Sequence, residues 1–295
     1  MFARSNSNWF ENMKRLSAYL GIILISCLLW VTSCDHNRTS CGKCEFHVVM
    51  KDTALKILDT IVDVNGNSYT QVQIGDQVWL GENLRCTFYE NDDGTGVPIT
   101  NYDTMGARFS YLFGEVDSIS VKKYGLLYNW AAARRLNDTV AKDGRIRGIC
   151  PKGFHLPSDE EWHELVNHIT NCTSKDPKTS VAKSLAAHDS CWRRSTIPNT
   201  PGYVPDTVHK DTNNASHFAA MPVGNCIENA SNGELRFYNF SGGASFWSST
   251  PYGHRGGDKL TNPNAYGRYI GYNDVVANKC VSNKKAYFPV RCVKD

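Results

Sequence analysis

A chain of 295 residues with 41% apolar content can bury one good-sized core or two small ones. Its formal charge is only +3 and it carries no long basic tract, which argues against nucleic acid as the main partner. Asn, Ser, Thr and Gly are plentiful between short apolar segments, the composition of a loop-rich domain with short strands.

The N-terminus sets the expected compartment. Residues 13–34, MKRLSAYLGIILISCLLWVTSC, combine a basic start, an apolar run from Leu16 to Val31, small residues and a cysteine. That run is shorter than the roughly 20 apolar residues of a membrane span, so a cleaved export signal is expected over residues 1–33, with Met13 a second candidate start. The ending Val31-Thr32-Ser33-Cys34 resembles the lipobox of bacterial lipoproteins, which makes Cys34 the expected lipid attachment site. Each buried methylene of an acyl chain contributes about 0.8 kcal/mol, so several chains would hold the protein at the envelope membrane, in the outer membrane or at the cell surface. Residues 34–59 then read as the lipidated N-terminus and a tether.

The chain has 11 cysteines, and in an exported domain that many favour disulfides over metal. Without the leader cysteine and Cys34 their number is odd, so at least one is free or pairs with another chain. Cys41 and Cys44 have the spacing of a redox or zinc pair, but no second pair follows at metal spacing. They read as a local disulfide or as free thiols.

From residue 61 the pattern is of strands broken by turns. Asn65-Gly66 favours a hairpin turn needing positive φ, and Gly75-Asp76 marks a second turn before Val78-Trp79-Leu80. YGLLYNWAAARRL, residues 124–136, has Leu127, Trp130, Ala131 and Arg134 at helical spacing and predicts a helix.

A second helix is predicted over 158–169, where Ser158 and Glu161 form a capping box and Trp162, Leu165, Val166 and Ile169 give one apolar face. HELVNH inside it mimics a zinc-protease motif. Its histidines, His163 and His168, are five apart instead of four, which turns the second ring about 140° around the helix. No metal site is expected.

A short helix near residues 180–187, a loop over 189–216 and an antiparallel C-terminal sheet complete the prediction. Two central helices between N- and C-terminal strands make the expected class α+β.

Six blocks in order, VDVNGNSYTQVQIGDQVWLGENL, YGLLYNWAAA, CPKGFHLPSDEEW, HFAAMPVG, FWSST and PVRCVKD, resemble the Fibrobacter succinogenes major paralogous domain of bacterial surface lipoproteins. The resemblance covers residues 60–295. It implies a C-type-lectin-like fold with two main helices, a small antiparallel sheet and disulfide support. It also implies pairing of Cys150 with Cys292, to which Cys226 with Cys280 and Cys172 with Cys191 are added as expected pairs.

Such folds host unrelated functions. The leading expectation is a lipid-anchored envelope module that binds a glycan or a surface protein. Tyr203, Trp247, Tyr252, Tyr266, Tyr269 and Tyr272 offer rings to stack on sugars or fill a partner's pocket, or else pack inside, Trp247 above all; Trp247, Tyr252 and Tyr266 are the candidate ligand residues.

The second reading is a structural or adhesive part of a surface assembly. The third is an oxidase of the formylglycine-generating type, which would need a close pair of copper-binding cysteines. No nucleophile elbow, phosphate loop or metal-spaced cluster occurs, so no catalytic residue and no cofactor are expected. The calcium-lectin triplets are absent as well, so binding is expected to be calcium-independent.

Overall fold

The computed structural model describes residues 46–49, 60–99, 106–114, 116–136, 140–174, 179–204, 213–229, 231–253 and 261–295, all within the compact unit Cys44–Asp295. The expected export signal, Cys34, Cys41 and Cys44 lie outside the described residues, as does the 34–59 segment apart from the strand Phe46–Val49.

Strands dominate. One five-stranded sheet runs in the order Phe46–Val49, Gln71–Ile74, Gln77–Leu80, Val293–Lys294, Phe154–His155. A second orders Leu235–Tyr238, Asn225–Glu228, Tyr287–Phe288, Leu127–Asn129, Phe109–Ser110. The long strands Gly243–Pro251 and Asn264–Gly271 pair with Asn278–Asn283 in a third, and two small hairpins complete five sheets among the described residues. Every ladder between these strands is antiparallel.

Among the described residues the helices are few and, α3 apart, short: α1 (Ser118–Tyr124), α2 (Trp130–Arg134), α3 (Asp159–Thr173) and α4 (Val181–Leu185). The expected two-helix, C-type-lectin-like α+β architecture is therefore corrected to a mostly β protein.

The reason is clearest at residues 124–136, expected as one helix. Gly125, at φ 75, ends α1, and a Cβ there would meet the Asn83 Cβ at 2.5 Å. Leu126 then donates its N–H to Leu84 O, which draws Leu127–Asn129 into a fully buried strand. The Asn129 side chain accepts from the Ala132 N–H and starts α2, and Arg135 in the left-handed region stops it after five residues. The 3.6-residue spacing was real, but a cap in its middle and long-range pairing overrode it.

α3 forms as expected. The Ser158 hydroxyl accepts from the Glu161 N–H, the Glu161 carboxylate accepts from the Ser158 N–H, and Trp162, Leu165 and Ile169 are buried. Burial of each of these side chains contributes roughly 1.5–3 kcal/mol. Trp162 lies 4.8 Å from Trp79, and Phe218 and Phe246 close the cluster. His163 is exposed, while His168 lies under the Gly75 turn, so the two do not converge.

Cys150 and Cys292 are joined by a disulfide across 142 residues, as the resemblance implied. The other two pairings are corrected. Cys226 and Cys280 are free and belong to different sheets. Cys191 is free in the turn Asp189–Cys191, whereas Cys172 is disulfide-bonded to another partner.

His155 ties α3 to the last strand. Its Nδ1 is 2.8 Å from Asp295 Oδ1 and its Nε2 is 2.6 Å from Glu161 Oε1, with Arg145 3.8 Å from the same Asp295 oxygen. Burial opposes charging the ring, but the bonds and charges of Glu161 and Asp295 outweigh it and raise the histidine pKa. Glu161 is likewise disfavoured by burial as an anion, yet His155 and the Ser158 N–H hold its pKa below the ordinary value.

The signs are opposite. The histidine's contribution is complete below its ordinary pKa of 6.5 and is lost as pH rises through the raised value. The Glu161 contribution is complete above 4.5 and is lost as pH falls through the lowered value. Urea midpoints across pH are expected to fall on both sides of mildly acidic pH, and His155→Gln is expected to flatten the alkaline side. An unchanged alkaline slope in that variant would show that His155 is not the titrating group.

Candidate functional site

The three candidate ligand aromatics occupy two different settings. Trp247 is fully buried, donates its ring N–H to Tyr128 O at 2.8 Å and stacks on Phe288 at 4.3 Å. It is a core residue and cannot meet a ligand. Tyr252 and Tyr266 are half-buried and brought together edge to face at 5.3 Å.

The Tyr266 face is already taken. Lys279 Nζ sits 3.7 Å from its centroid and 2.5 Å from Asp159 Oδ2, and Asp159 also pairs with the buried Arg268 at 3.3 Å. Tyr269 binds the Asn239 side chain, and Tyr272 lies under Arg193. The expected rings do not share one surface.

A different aromatic surface does stand open. Phe113 contacts Phe237 at 5.2 Å and Phe240 at 5.1 Å, and Tyr124 reaches Phe240 at 5.9 Å. Phe113 is 49% exposed and Phe240 37%, large values for rings that could have turned inward. Lys123 stands 4.9 Å over the Tyr124 ring at one end of this ridge.

Both exposed phenylalanines are presented by strained backbone. Phe113 has φ 55, and Asn239 and Ser241, on either side of Phe240, have φ 61 and 58. A left-handed phenylalanine costs about 1–2 kcal/mol, a cost that recurs at sites where geometry serves a ligand. Gly224 makes the 238–240 turn feasible, because a Cβ there would meet Tyr238 O at 2.0 Å.

The sequence held one usable signal for the ridge. Phe240 sits in Asn-Phe-Ser-Gly-Gly, where turn residues on both sides take it out of any strand and therefore out of strand packing.

α1, whose last residue Tyr124 belongs to the ridge, also lines a cavity of about 530 Å³ through Ser118, Val121 and Lys122. Ser68, Thr70, Glu82, Arg85, Ser118 and Lys122 are among its walls. The hairpin on one flank is set by Asp63, whose carboxylate accepts from the Asn65 and Asn67 N–H groups and from the Tyr69 hydroxyl. The helix on the other is capped by Asp117, which accepts from the Ile119 and Ser120 N–H groups.

The polar groups of the cavity differ in how far they are committed. Glu82 is spent, since Oε1 accepts from the Thr70 N–H and hydroxyl at 3.2 Å and Oε2 accepts from Arg85 at 2.9 Å. Arg85 lies 4.4 Å over the Tyr69 ring and donates also to Ser68 O, with its side chain only 8% exposed. Lys122 has no hydrogen-bond or ion-pair partner among the described residues.

A smaller cavity of about 310 Å³ is crossed by its own ion pair, Arg108 to Glu228 at 2.9 Å, which raises the arginine pKa. Among the described residues no cluster of His, Cys, Asp and Glu has the makings of a metal site.

No curated protein and no solved structure matches the chain. The model of the Fibrobacter succinogenes major domain matches residues 72–294, three quarters of the sequence, so the chain belongs to that family; the aromatic ridge and α1 fall within the match, while the hairpin wall of the cavity, residues 60–70, precedes it.

Proposed function

We propose that this protein is a lipid-anchored cell-envelope module that binds glycans, without calcium, through the surface around α1. The observation that carries this reading is the open aromatic ridge of Phe113, Phe237, Phe240 and Tyr124, held out by residues in the left-handed region. Aromatic faces take up the apolar C–H faces of sugars, and the hydroxyl-lined cavity on the same helix can exchange hydrogen bonds with sugar hydroxyls. A surface protein filling the same ridge is the competing occupant.

The test is a glycan array probed with the full chain in detergent, with and without a chelator. Chelator-resistant binding is expected, weakened about tenfold by Phe240→Ala. Phe113→Gly is expected to keep or raise the melting temperature, because it relieves left-handed strain, while weakening binding. A ridge that merely packs would instead lose stability with no change in binding, and a blank array on folded protein would move the assignment to a protein partner.

The anchor rests on the Val-Thr-Ser-Cys ending at Cys34. Among the described residues no helix is long and apolar enough to cross a membrane. Cys34→Ala is expected to move the protein from the membrane fraction to the soluble one, and retention in the membrane would refute lipidation at this cysteine.

A further inference from the structure

We infer that the cavity between the Ile61–Tyr69 hairpin region and α1 is a subsite for a carboxylate-bearing sugar, a uronic acid residue of a larger glycan. This inference rests on the glycan reading above and names the chemical class at one end of the same surface. Three features carry it: size, charge and the chemistry of the walls.

The volume of about 530 Å³ lies within the roughly 300–1,000 Å³ of small-molecule sites and suits one or two sugar rings. It is far larger than a single inorganic anion needs. The charges do not cancel. Arg85 and Lys122 line the cavity as cations, and Glu82 is the acidic side chain on its walls, with both oxygens already committed to Thr70 and Arg85. One positive charge is left without a partner among the described residues.

Lys122 stands exposed on α1 and makes no ion pair with the N-cap Asp117, whose Oδ1 accepts the Ile119 and Ser120 N–H groups at 2.9 Å. Arg85 is fixed by stacking on Tyr69 and by its bonds to Glu82 and Ser68, so it presents charge from a rigid floor. A carboxylate entering between the two would make charge-assisted bonds, while Thr60, Ser68, Thr70 and Ser118 would face ring hydroxyls.

A neutral sugar of the same shape fills the volume and leaves Lys122 uncompensated. An acidic sugar does both.

The probes are an oligogalacturonate, its methyl ester, which keeps the shape and removes the charge, and inorganic phosphate. Titration calorimetry of the full chain in detergent is expected to show the acid binding at least about tenfold more tightly than the ester, with the difference shrinking in high salt. Phosphate is expected to compete weakly or not at all. Lys122→Met should abolish the preference for the acid while leaving the melting temperature unchanged, since α1 buries none of its residues. The exposed Lys142→Met should leave the preference intact.

Equal affinity for acid and ester, or a preference that survives Lys122→Met, overturns the subsite while sparing the ridge. Tight binding of phosphate alone also overturns it, in favour of a simple anion site. If neither oligosaccharide binds and the array is blank, the subsite falls together with the glycan reading.

Discussion

Arg291→Met is expected to lower the unfolding free energy by about 3–5 kcal/mol, read as a shift of the urea midpoint at constant slope. Arg291 is fully buried and its hydrogen bonds go to an amide and to backbone carbonyls, with Glu82 acting on its charge without a direct bond. Its Nε donates to Asn83 Oδ1 at 2.9 Å, Nη1 to Leu80 O at 3.0 Å and to Phe218 O, and Nη2 to Ala219 O at 2.9 Å. The Phe218 and Phe246 rings lie at 4.5 and 5.8 Å from the guanidinium carbon.

Burial pushes the pKa of this group down to about 9, which still leaves it charged at neutral pH. One side chain thus satisfies acceptors from two separate stretches of chain, 80–83 and 218–219, and a planar fork is the shape that does so. Methionine fills much of the volume but strands every acceptor. Arg291→Lys keeps the charge yet offers a single nitrogen, so it is expected to recover only part of the loss. A Met variant as stable as the parent would show that water replaces the guanidinium at no cost.

Loss of the Cys150–Cys292 disulfide is expected to have a comparable effect. Closing a loop of this length removes about 5 kcal/mol of unfolded-state entropy by the chain model, and the two residues are 1% and 0% exposed. The Cys150→Ala, Cys292→Ala double variant is therefore expected to unfold at lower urea by about 3–5 kcal/mol. Peptide mapping of the non-reduced parent should recover the 150–292 cross-link.

Exchange with the free thiols is disfavoured. Burial pushes the Cys86 thiol up to about 12 and those of Cys226 and Cys280 up to about 11, so few thiolates are present to attack. Of the four free cysteines among the described residues, Cys191 and Cys280 are half-buried, and since burial raises the Cys280 thiol pKa, Cys191 is expected to react first with an alkylating reagent. Rapid modification of Cys226 would contradict the buried setting.

The sequence by itself determined what is decided within a few residues. The capping box of Ser158 and Glu161 started α3 where the spacing placed it, and Trp162, Leu165 and Ile169 became its buried face. The Asn65-Gly66 and Gly75-Asp76 turns made hairpins because Gly66 and Gly75 accept φ of 82 and 61. The six ordered blocks identified the family and, through it, the Cys150–Cys292 pair.

Only the tertiary structure decided the rest. Residues 127–129 carry helical spacing but pair with Tyr287 and Phe288 and with Phe109 and Ser110, partners far away in the chain, and that pairing turned an expected α+β fold into a mostly β one. Arg291 looked like an ordinary strand residue between Val290 and Cys292 until chain segments more than 70 residues distant supplied its acceptors. Trp247 was absorbed by the core, and the open ridge was assembled from Phe113, Tyr124 and Phe240 of three separate segments. Caps and turns are local hydrogen-bonding choices, whereas exposure and charge pairing depend on which distant surfaces meet, and spacing along one strand carries no record of that.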